Sequence, residues 1–418
     1  MPSTTLPVDR PLTDVEAARA HVAAGALIDA EPGPVGLELE SHLVDRRDPT
    51  RRVGWEQITA LVDGLAGDLP GGSRVTLEPG GQVELSGPPG ADVTAAVTAL
   101  RADAALVRAA LAADGLGLAP LGADPLRPAR RVSPGPRYAA MERHFDAVHC
   151  SRAGAAMMTS TASLQVNLEA GRSTGWADRV GLAHRLGPVL VAVAACSPLL
   201  AGAETGWVST RQQVWGDLDQ ARCGPLLGRQ DPATEWAGYA LAAPVMLVRT
   251  ADGADPVTTR VSFADWVRGD APLDDRRPTA ADLDYHLTTL FPPVRLRGFL
   301  ELRYLDAAPE PWWPALAAVT TTLLDDPVAA DRAAEACEPV AGHWSDAAHR
   351  GLADPALLAA ARSCLDAALA AAPPGLRPEV EALAELVDGG RSPGDAVLHT
   401  ARTAGPGAAL LAACEEIP

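Results

Sequence analysis

The sequence has 418 residues, of which 47% are hydrophobic, a net charge of −18 and a mean hydropathy of +0.04. We expect a soluble globular protein with a sizeable core, and the negative charge argues against a nucleic-acid partner because phosphate binding relies on basic patches. No apolar signal segment leads the sequence, and its apolar runs fall short of the roughly 20 residues that cross a bilayer. We therefore expect a cytoplasmic protein with no membrane partner. The six cysteines form no CxxC pair, which indicates reduced thiols and not a cysteine-rich zinc site.

Apolar periodicity predicts helices and strands in irregular order. In chain order these are a helix over 14–27, a strand over 35–44, a helix over 55–67, a hairpin over 75–89, a helix over 92–114, a strand over 115–122, a helix over 137–148, a β-rich stretch over 155–171, a helix over 176–198, a strand over 245–250, a helix over 283–292 and a strand over 297–306. From about Trp312 the chain is Ala-rich and predicts only helices. This order favours an α+β fold with a mainly antiparallel sheet over a doubly wound parallel one. We expect one domain over 1–418, with the sheet within about 30–325 and a helical C-terminal part over about 326–418.

The predicted hairpin, VTLEPGGQVELSGPP, carries a glutamate on each side of a Pro-Gly-Gly turn. If the loop is centred on Gly81, Glu78 and Glu84 lie directly opposite each other. Like charges in that position destabilise a sheet. The arrangement therefore suggests that these two carboxylates serve a function.

Other predicted strands also have one apolar face and one polar face, because residues i and i+2 of a strand point to the same side. The polar pairs are Glu38 with Glu40, Gln165 with Asn167, and Glu301 with Arg303. A solvent-facing sheet would explain one such strand. Four strands that concentrate acids and amides are better explained by a site that binds a hard divalent cation such as Mg²⁺.

The chain contains no lysine, so all 35 of its basic residues are arginine. This excludes a Walker A phosphate loop and a Schiff-base lysine. A phosphate or carboxylate must therefore be bound by arginine, metal or backbone amides, and we expect a site for Mg²⁺ and nucleotide. Asn167 is the single asparagine of the chain, and because its surroundings are not turn-like we expect a functional role for it.

Five separated blocks of sequence, taken together, resemble one known family. They are GLELESHLVD, VTLEPGGQVELSGPP, AAMMTSTASLQVNLEAG, STRQQVWGDLDQARCG and HLTTLFPPVRLRGFLELRYLD. The resemblance is to the glutamate–cysteine ligase family of carboxylate–amine ligases, in its plant and actinobacterial branch, and within that branch to the ligases of ergothioneine biosynthesis. It covers about residues 30–325, with a weaker likeness in the helical tail.

The resemblance implies a fold like that of glutamine synthetase, in which a strongly curved antiparallel sheet forms a funnel with helices packed outside. It implies ATP- and Mg²⁺-dependent ligation of the γ-carboxylate of L-glutamate to the amine of L-cysteine, through γ-glutamyl phosphate. The expected partners are thus these small molecules, and no obligate protein partner is evident.

The resemblance also implies roles for individual residues. The implied metal ligands are Glu38, Glu40, Glu84 and Glu301, with Glu78 either a ligand or one layer behind. The implied catalytic residues are Arg303, beside the transferred phosphoryl group, and Glu301. The implied substrate- and nucleotide-binding residues are Gln165, Asn167, Arg211, Arg222, Arg295 and Arg297.

Several alternatives stay open from the sequence. Arg295 and Arg297 are equally well explained as a solvated surface pair. Met157 and Met158 suit core packing better than a cysteine pocket, and His286 suits the core better than a ligand site. The enzyme could use another amine acceptor, or the chain could be a catalytically silent binding homologue. The six cysteines carry no signal that would assign a redox pair.

Overall fold

The computed structural model describes residues 10–65, 69–226, 228, 231–250 and 253–415. The strands in chain order are β1 Val35–Asp45, β2 Arg74–Leu77, β3 Val83–Ser86, β4 Leu116–Ala119, β5 Ser163–Glu169, β6 Leu199–Leu200, β7 Ala203–Glu204, β8 Leu247–Thr250, β9 Gly253–Pro256, β10 Val294–Leu296 and β11 Phe299–Asp306. The α-helices are α1 Val15–Ala26, α2 Trp55–Leu65, α3 Val93–Ala113, α4 Pro136–Ala147, α5 Ser151–Ser160, α6 Trp176–Ala194, α7 Thr210–Gly216, α8 Gln220–Cys223, α9 Pro232–Ala242, α10 Phe263–Arg268, α11 Ala280–Leu287, α12 Trp312–Asp325, α13 Pro327–Cys337, α14 Trp344–His349, α15 Pro355–Ala370, α16 Arg377–Asp388, α17 Pro393–Ala404 and α18 Pro406–Ala412. Short 3₁₀-helices span Ser173–Gly175, Glu338–Val340 and Gly351–Ala353.

Seven of the described strands form one sheet in the order β10-β11-β5-β1-β3-β2, with β4 paired to the far end of β1. All its pairings are antiparallel, which confirms the predicted mixture of helices with a mainly antiparallel sheet. The long strand β1 is central because it pairs with β3 and β5 over its first half and with β4 over its second. Two further sheets, β6-β7 and β8-β9, have two strands each.

The apolar face of the large sheet packs on helices. α6 lies against β11, and α12 lies against β5. Leu300, Leu302, Leu164 and Val166 are fully buried on that side. The polar residues between them therefore face the other side of the sheet, as the period-two pattern predicts.

The hairpin has a different register from the predicted one. The amide of Gly81 donates to the carbonyl of Glu78, and the amide of Glu78 donates to the carbonyl of Gln82, both at 2.9 Å. Gly81 has a φ of 84°, so it takes the left-handed bulge position of a three-residue loop centred on Gly80. The prediction that Glu78 faces Glu84 is wrong.

The prediction of β structure over 155–171 is wrong in its first half, because α5 extends to Ser160. Gly154 lies against Phe145 of α4, where a Cβ would come within 2.4 Å of the ring. Met157 and Met158 are buried in the same small core cluster. This close helix packing outweighs the local preference for a strand.

The remaining predicted elements occur, with boundaries shifted by a few residues. The helix predicted over 283–292 ends at Leu287, ahead of two prolines, and residues 66–67 of the helix predicted over 55–67 lie outside the described residues. After Trp312 the described residues form only helices. None of the helices that the structure describes is both long and apolar enough to cross a membrane.

Candidate active site

The polar faces of the strands line one cavity of about 250 Å³. Its lining includes ten of the predicted site residues: Glu38, Glu40, Glu78, Glu84, Gln165, Arg211, Arg295, Arg297, Glu301 and Arg303. They come from β1, β3, β5, β10 and β11, from the loop between β2 and β3, from the turn between β10 and β11 and from α7. The period-two pattern thus brings residues that are far apart in the sequence to one concave surface.

Glu40 and Glu84 are the carboxylates that oppose each other across neighbouring strands, β1 and β3. Glu84 accepts hydrogen bonds from Thr76 Oγ1 at 2.7 Å and Ser86 Oγ at 3.0 Å. Glu40 accepts from the amide and the hydroxyl of Ser163 at 2.8 and 2.9 Å. These neutral donors orient the two side chains but carry no charge that would offset the repulsion between them.

Four carboxylates of the cavity have raised pKa values. Burial raises the pKa of Glu40, and burial together with the charge of Glu40 raises the pKa of Glu84. Burial and the charges of Glu84 and Glu301 raise the pKa of Glu38. Burial, Glu40 and Glu84 raise the pKa of Glu78 to about 8. Burial, joined for Glu38, Glu78 and Glu84 by the charges of neighbouring glutamates, therefore disfavours the ionised forms of these side chains.

Glu301 differs from the other four because arginines surround it. It accepts from Arg295 Nη2 at 2.9 Å, Arg297 Nη1 at 3.1 Å and Arg303 Nη1 at 3.2 Å. Burial opposes ionisation, but the charges of Arg303 and Arg295 outweigh it and hold the pKa of Glu301 at about 2. Arg303 also donates to Gln165 Oε1 at 2.6 Å. Glu301 and Gln165 thus fix the guanidinium groups at one end of the cavity.

Arg211 is only 2% exposed, yet one of its donors has no partner. Its Nη2 donates to the carbonyl of Arg303 at 2.7 Å, whereas its Nη1 is buried without a hydrogen bond. An unpartnered donor on a buried guanidinium costs free energy unless a ligand accepts from it. We propose that Arg211 is an anion-binding group of the cavity.

Asn167 does not line the cavity but lies directly behind it. Its Nδ2 donates to Glu38 Oε1 at 3.0 Å, and its backbone is paired between Gly36 of β1 and Glu301 of β11. A Cβ on Gly36 would come within 3.2 Å of Asn167, so the glycine leaves room for the amide. The single asparagine of the chain thus orients a cavity carboxylate.

Arg222 is not brought to the cavity. It is fully buried, and it donates to the backbone carbonyls of Thr289, at 2.9 Å, and Pro244. Burial lowers its pKa. We propose that Arg222 ties together the segments around the cavity and does not contact a substrate.

A second cavity of about 330 Å³ opens beside the first. The two share Arg211, Arg303, Trp215 and Phe291 in their linings. The walls of the second are mainly aromatic side chains and prolines with three glutamines: Trp207, Trp344, Tyr304, Pro225, Pro292, Pro293, Gln212, Gln213 and Gln220. A ligand held at Arg211 can therefore extend from the carboxylate-rich cavity into an apolar one. Sequence reasoning missed this second cavity because its aromatic residues lie in separate loops, helices and a strand, far apart in the sequence.

The structure places the side chains for which the sequence left two roles open. Met157 and Met158 are core residues that also line the first cavity. His286 is buried, and its Nε2 pairs with the carbonyl of Ala240 at 2.9 Å, as expected for a core histidine. Arg295 is half-buried and Arg297 is exposed, but both bond Glu301, so they are not a free surface pair.

The carboxylates fit Mg²⁺ by their chemistry. Among the residues that the structure describes, no three His, Cys, Asp or Glu side chains converge closely enough to hold a metal ion. Mg²⁺ does not need three converging protein side chains, because it is usually bound by one or two carboxylates together with substrate phosphates and water. The raised pKa values of four cavity glutamates mark the place where added positive charge is favourable.

These pKa values predict a pH effect on the stability of the metal-free protein. Glu78 ionises at about 8 when folded, against an ordinary value of 4.5. Between these two pH values the folded state keeps a proton on Glu78 that the unfolded state has lost. The contribution of Glu78 to the free energy of unfolding is therefore complete below pH 4.5 and is lost as the pH rises to about 8. We expect the free energy of unfolding to fall more steeply with pH, by about 1 kcal/mol per unit, in the wild type than in Glu78→Gln. Urea unfolding in a chelator between about pH 5 and pH 8 measures both slopes. Parallel curves would contradict the assignment.

Comparisons with known proteins identify the family of the chain. The family model described as glutamate–cysteine ligase family 2 matches residues 34–413. The chain is 57% identical, over 92% of its length and 90% of the relative's, to glutamate–cysteine ligase EgtA of Mycolicibacterium smegmatis. It is 55% identical to EgtA of Mycobacterium tuberculosis, over 93% of the chain and 91% of that protein. A chloroplastic glutamate–cysteine ligase of Medicago truncatula is 30% identical over 68% of the chain and 59% of its own length.

A solved structure shares the fold. The glutamate–cysteine ligase of Francisella tularensis, crystallised in complex with AMP, matches with a TM-score of 0.53 over 93% of this chain and 88% of that one, at 15% identity. The family match covers most of the chain, and two relatives are more than half identical to it over nearly their full lengths. The chain belongs to glutamate–cysteine ligase family 2.

Proposed function

We propose that the protein ligates the γ-carboxylate of L-glutamate to the amine of L-cysteine at the expense of ATP, giving γ-glutamylcysteine for ergothioneine biosynthesis. The family and the EgtA relatives support the activity and the pathway. The observation that carries the proposal is a single cavity in which five glutamates meet several arginines, among them the buried Arg211 and its neighbour Arg303. Such a site suits a reaction that brings a carboxylate and a triphosphate together.

The first chemical step joins two anions. A γ-carboxylate oxygen of glutamate bonds to the terminal phosphorus of ATP while the bond from that phosphorus to the bridging oxygen of ADP breaks. The products are γ-glutamyl phosphate and ADP. Because negative charges approach each other, preorganised cations lower the barrier. We propose that Arg211 and Arg303 supply this charge from the protein, with Arg303 held toward the reacting groups by Glu301 and Gln165.

The second step forms the amide. The cysteine nitrogen attacks the acyl carbon, the bond from that carbon to the phosphate oxygen breaks, and the nitrogen loses a proton. Phosphate leaves with an oxygen that came from glutamate. Walls on several sides of the reacting groups limit hydrolysis of the acyl phosphate by water.

We propose that Glu38, Glu40, Glu78 and Glu84 hold Mg²⁺ together with ATP. When bound, the metal ions would neutralise the triphosphate and the carboxylates at once. Asn167 orients Glu38, and Ser163 orients Glu40. We propose that Glu301 also orients the arginines that bond to it. Its role as a metal ligand stays a prediction.

We also propose that the sheet is the curved funnel of glutamine synthetase, within a single ligase domain. The seven antiparallel strands, the helices behind them and one core cluster that runs from Leu12 to Cys414 support this. A crystal structure with ADP and Mg²⁺ bound inside the curved sheet tests it. Use of ATP fits the cytoplasmic location expected from the sequence, which fractionation of the native cells would check.

Oxygen transfer tests the proposed reaction directly. The purified protein is given Mg²⁺, ATP, L-cysteine and L-glutamate labelled with ¹⁸O in its γ-carboxylate. We expect each released phosphate to carry one labelled oxygen, in equal amounts with ADP and γ-glutamylcysteine, as mass spectrometry can measure. Phosphate without label would come from attack by water on ATP and would contradict carboxylate activation.

A further inference from the structure

Asp306, the last residue of β11, lies outside the cavity and accepts hydrogen bonds from two separate segments. It is 2% exposed. Its Oδ2 accepts from the amide of Cys196 at 3.0 Å and the hydroxyl of Ser197 at 2.6 Å, and its Oδ1 accepts from the hydroxyl of Ser209 at 2.9 Å. These groups follow α6 and begin α7, the helix that carries Arg211.

Each of the two serines also bonds to the first turn of α7. Ser197 Oγ accepts from the amide of Arg211 at 3.1 Å, and Ser209 Oγ accepts from the amide of Gln212 at 3.3 Å as the N-cap. Both serine hydroxyls donate to the carboxyl group of Asp306. Their lone pairs are then left for the first amides of α7, which have no partner within the helix.

The same helix is also fastened to the site strand. Arg211 Nη2 donates to the carbonyl of Arg303, and Gln212 Nε2 donates to the carbonyl of Tyr304 at 2.9 Å. On the other side of Asp306, a Cβ on Gly122 would come within 2.4 Å of its carboxyl carbon. Asp306 thus has little freedom to move, and α7 is held in one position relative to β11.

We propose that Asp306 is a positioning residue for the guanidinium of Arg211, acting through Ser197 and Ser209. The inference rests on the proposed function, in which Arg211 binds an anionic group of a substrate. A displaced α7 would move Arg211 relative to that anion and to Arg303. Misplacement of about 1 Å at a reacting centre can cost about a hundredfold in rate, so the effect should be measurable.

Asp306→Asn keeps the size of the side chain but turns an acceptor into an NH₂ donor that competes with the serine hydroxyls, and it removes a charge that acts directly on Arg211. Arg211→Lys serves as the reference variant, because it keeps the charge but loses the fork of donors. We expect Asp306→Asn to raise the KM of the same substrate, ATP or L-glutamate, that Arg211→Lys affects, by about tenfold or more. In the double variant, the added effect of Asp306→Asn should be less than about twofold, since both changes act on one interaction. Ser197→Ala keeps the charge of Asp306 and should raise the same KM, which isolates the route through the serines.

Asp103→Asn is the matched control. Asp103 is equally buried and accepts from the amides of Gly71 and Ser73, but it does not line either cavity. It should lower thermal stability and leave every KM unchanged. An Asp306→Asn protein that behaves like this control would overturn the inference.

The outcomes separate the two proposals. If Arg211→Lys raises a KM and Asp306→Asn does not, the positioning role alone fails. If Arg211→Lys leaves kcat and both KM values unchanged, the anion-binding role of Arg211 fails and the inference falls with it. Should Asp306→Asn not fold, Ser197→Ala removes the acceptor of the Arg211 amide and must raise the same KM; an unchanged KM in that variant overturns the inference.

Discussion

Glu84→Ala is expected to lower kcat by about a thousandfold or more while the protein stays folded. Glu84 projects into the cavity opposite Glu40, and burial and that neighbouring charge raise its pKa. In the metal-free protein its removal relieves a repulsion, so the unfolding temperature should not fall. With Mg²⁺ and ATP present the same carboxylate becomes a source of binding energy, and the variant should lose most of the stabilisation that these ligands give the wild type.

Two measurements together check this expectation. Steady-state turnover gives kcat, and thermal unfolding with and without Mg²⁺ and ATP gives the ligand-dependent stabilisation. Glu381→Ala, which removes an exposed glutamate from α16, is the control and should match the wild type in both. A Glu84→Ala protein that kept most of its turnover would refute the metal-binding role.

The sequence predicted the polar faces of the strands well because the alternation of a strand is a local property. Glu38 and Glu40, or Glu301 and Arg303, point the same way whatever the neighbouring strands are. Register between strands is not local. The position of Glu84 opposite Glu40 and not opposite Glu78 depends on the bulge at Gly81 and on the pairing of β1 with β3.

The different environments of two arginines also could not be predicted from the sequence. Arg211 and Arg222 lie in one sequence block and look alike in it. In the structure the first lines both cavities, whereas the second bonds backbone carbonyls in the interior and lines neither; each has one buried donor without a partner. Asp306 gave no signal at all, because a buried acceptor for two serine hydroxyls is recognisable only when its donors, about 100 residues away in the chain, are placed around it.

The identity of the acceptor amine has the second large expected effect. An acyl phosphate formed in a walled cavity turns over when an amine reaches it, so phosphate release should depend strongly on the amino acid supplied. L-Serine and L-alanine are matched controls, since each differs from L-cysteine only at the thiol. A pocket that recognises the side chain separates such close analogues by about tenfold to a hundredfold.

The most direct test of the account is therefore the rate of phosphate release from Mg²⁺, ATP and L-glutamate, measured with each acceptor in turn. We expect L-cysteine to give a kcat/KM at least about tenfold above that of L-serine or L-alanine, with γ-glutamylcysteine formed in step with phosphate. Equal stimulation by all three amino acids, or none by L-cysteine, would contradict the assignment of this protein as a glutamate–cysteine ligase.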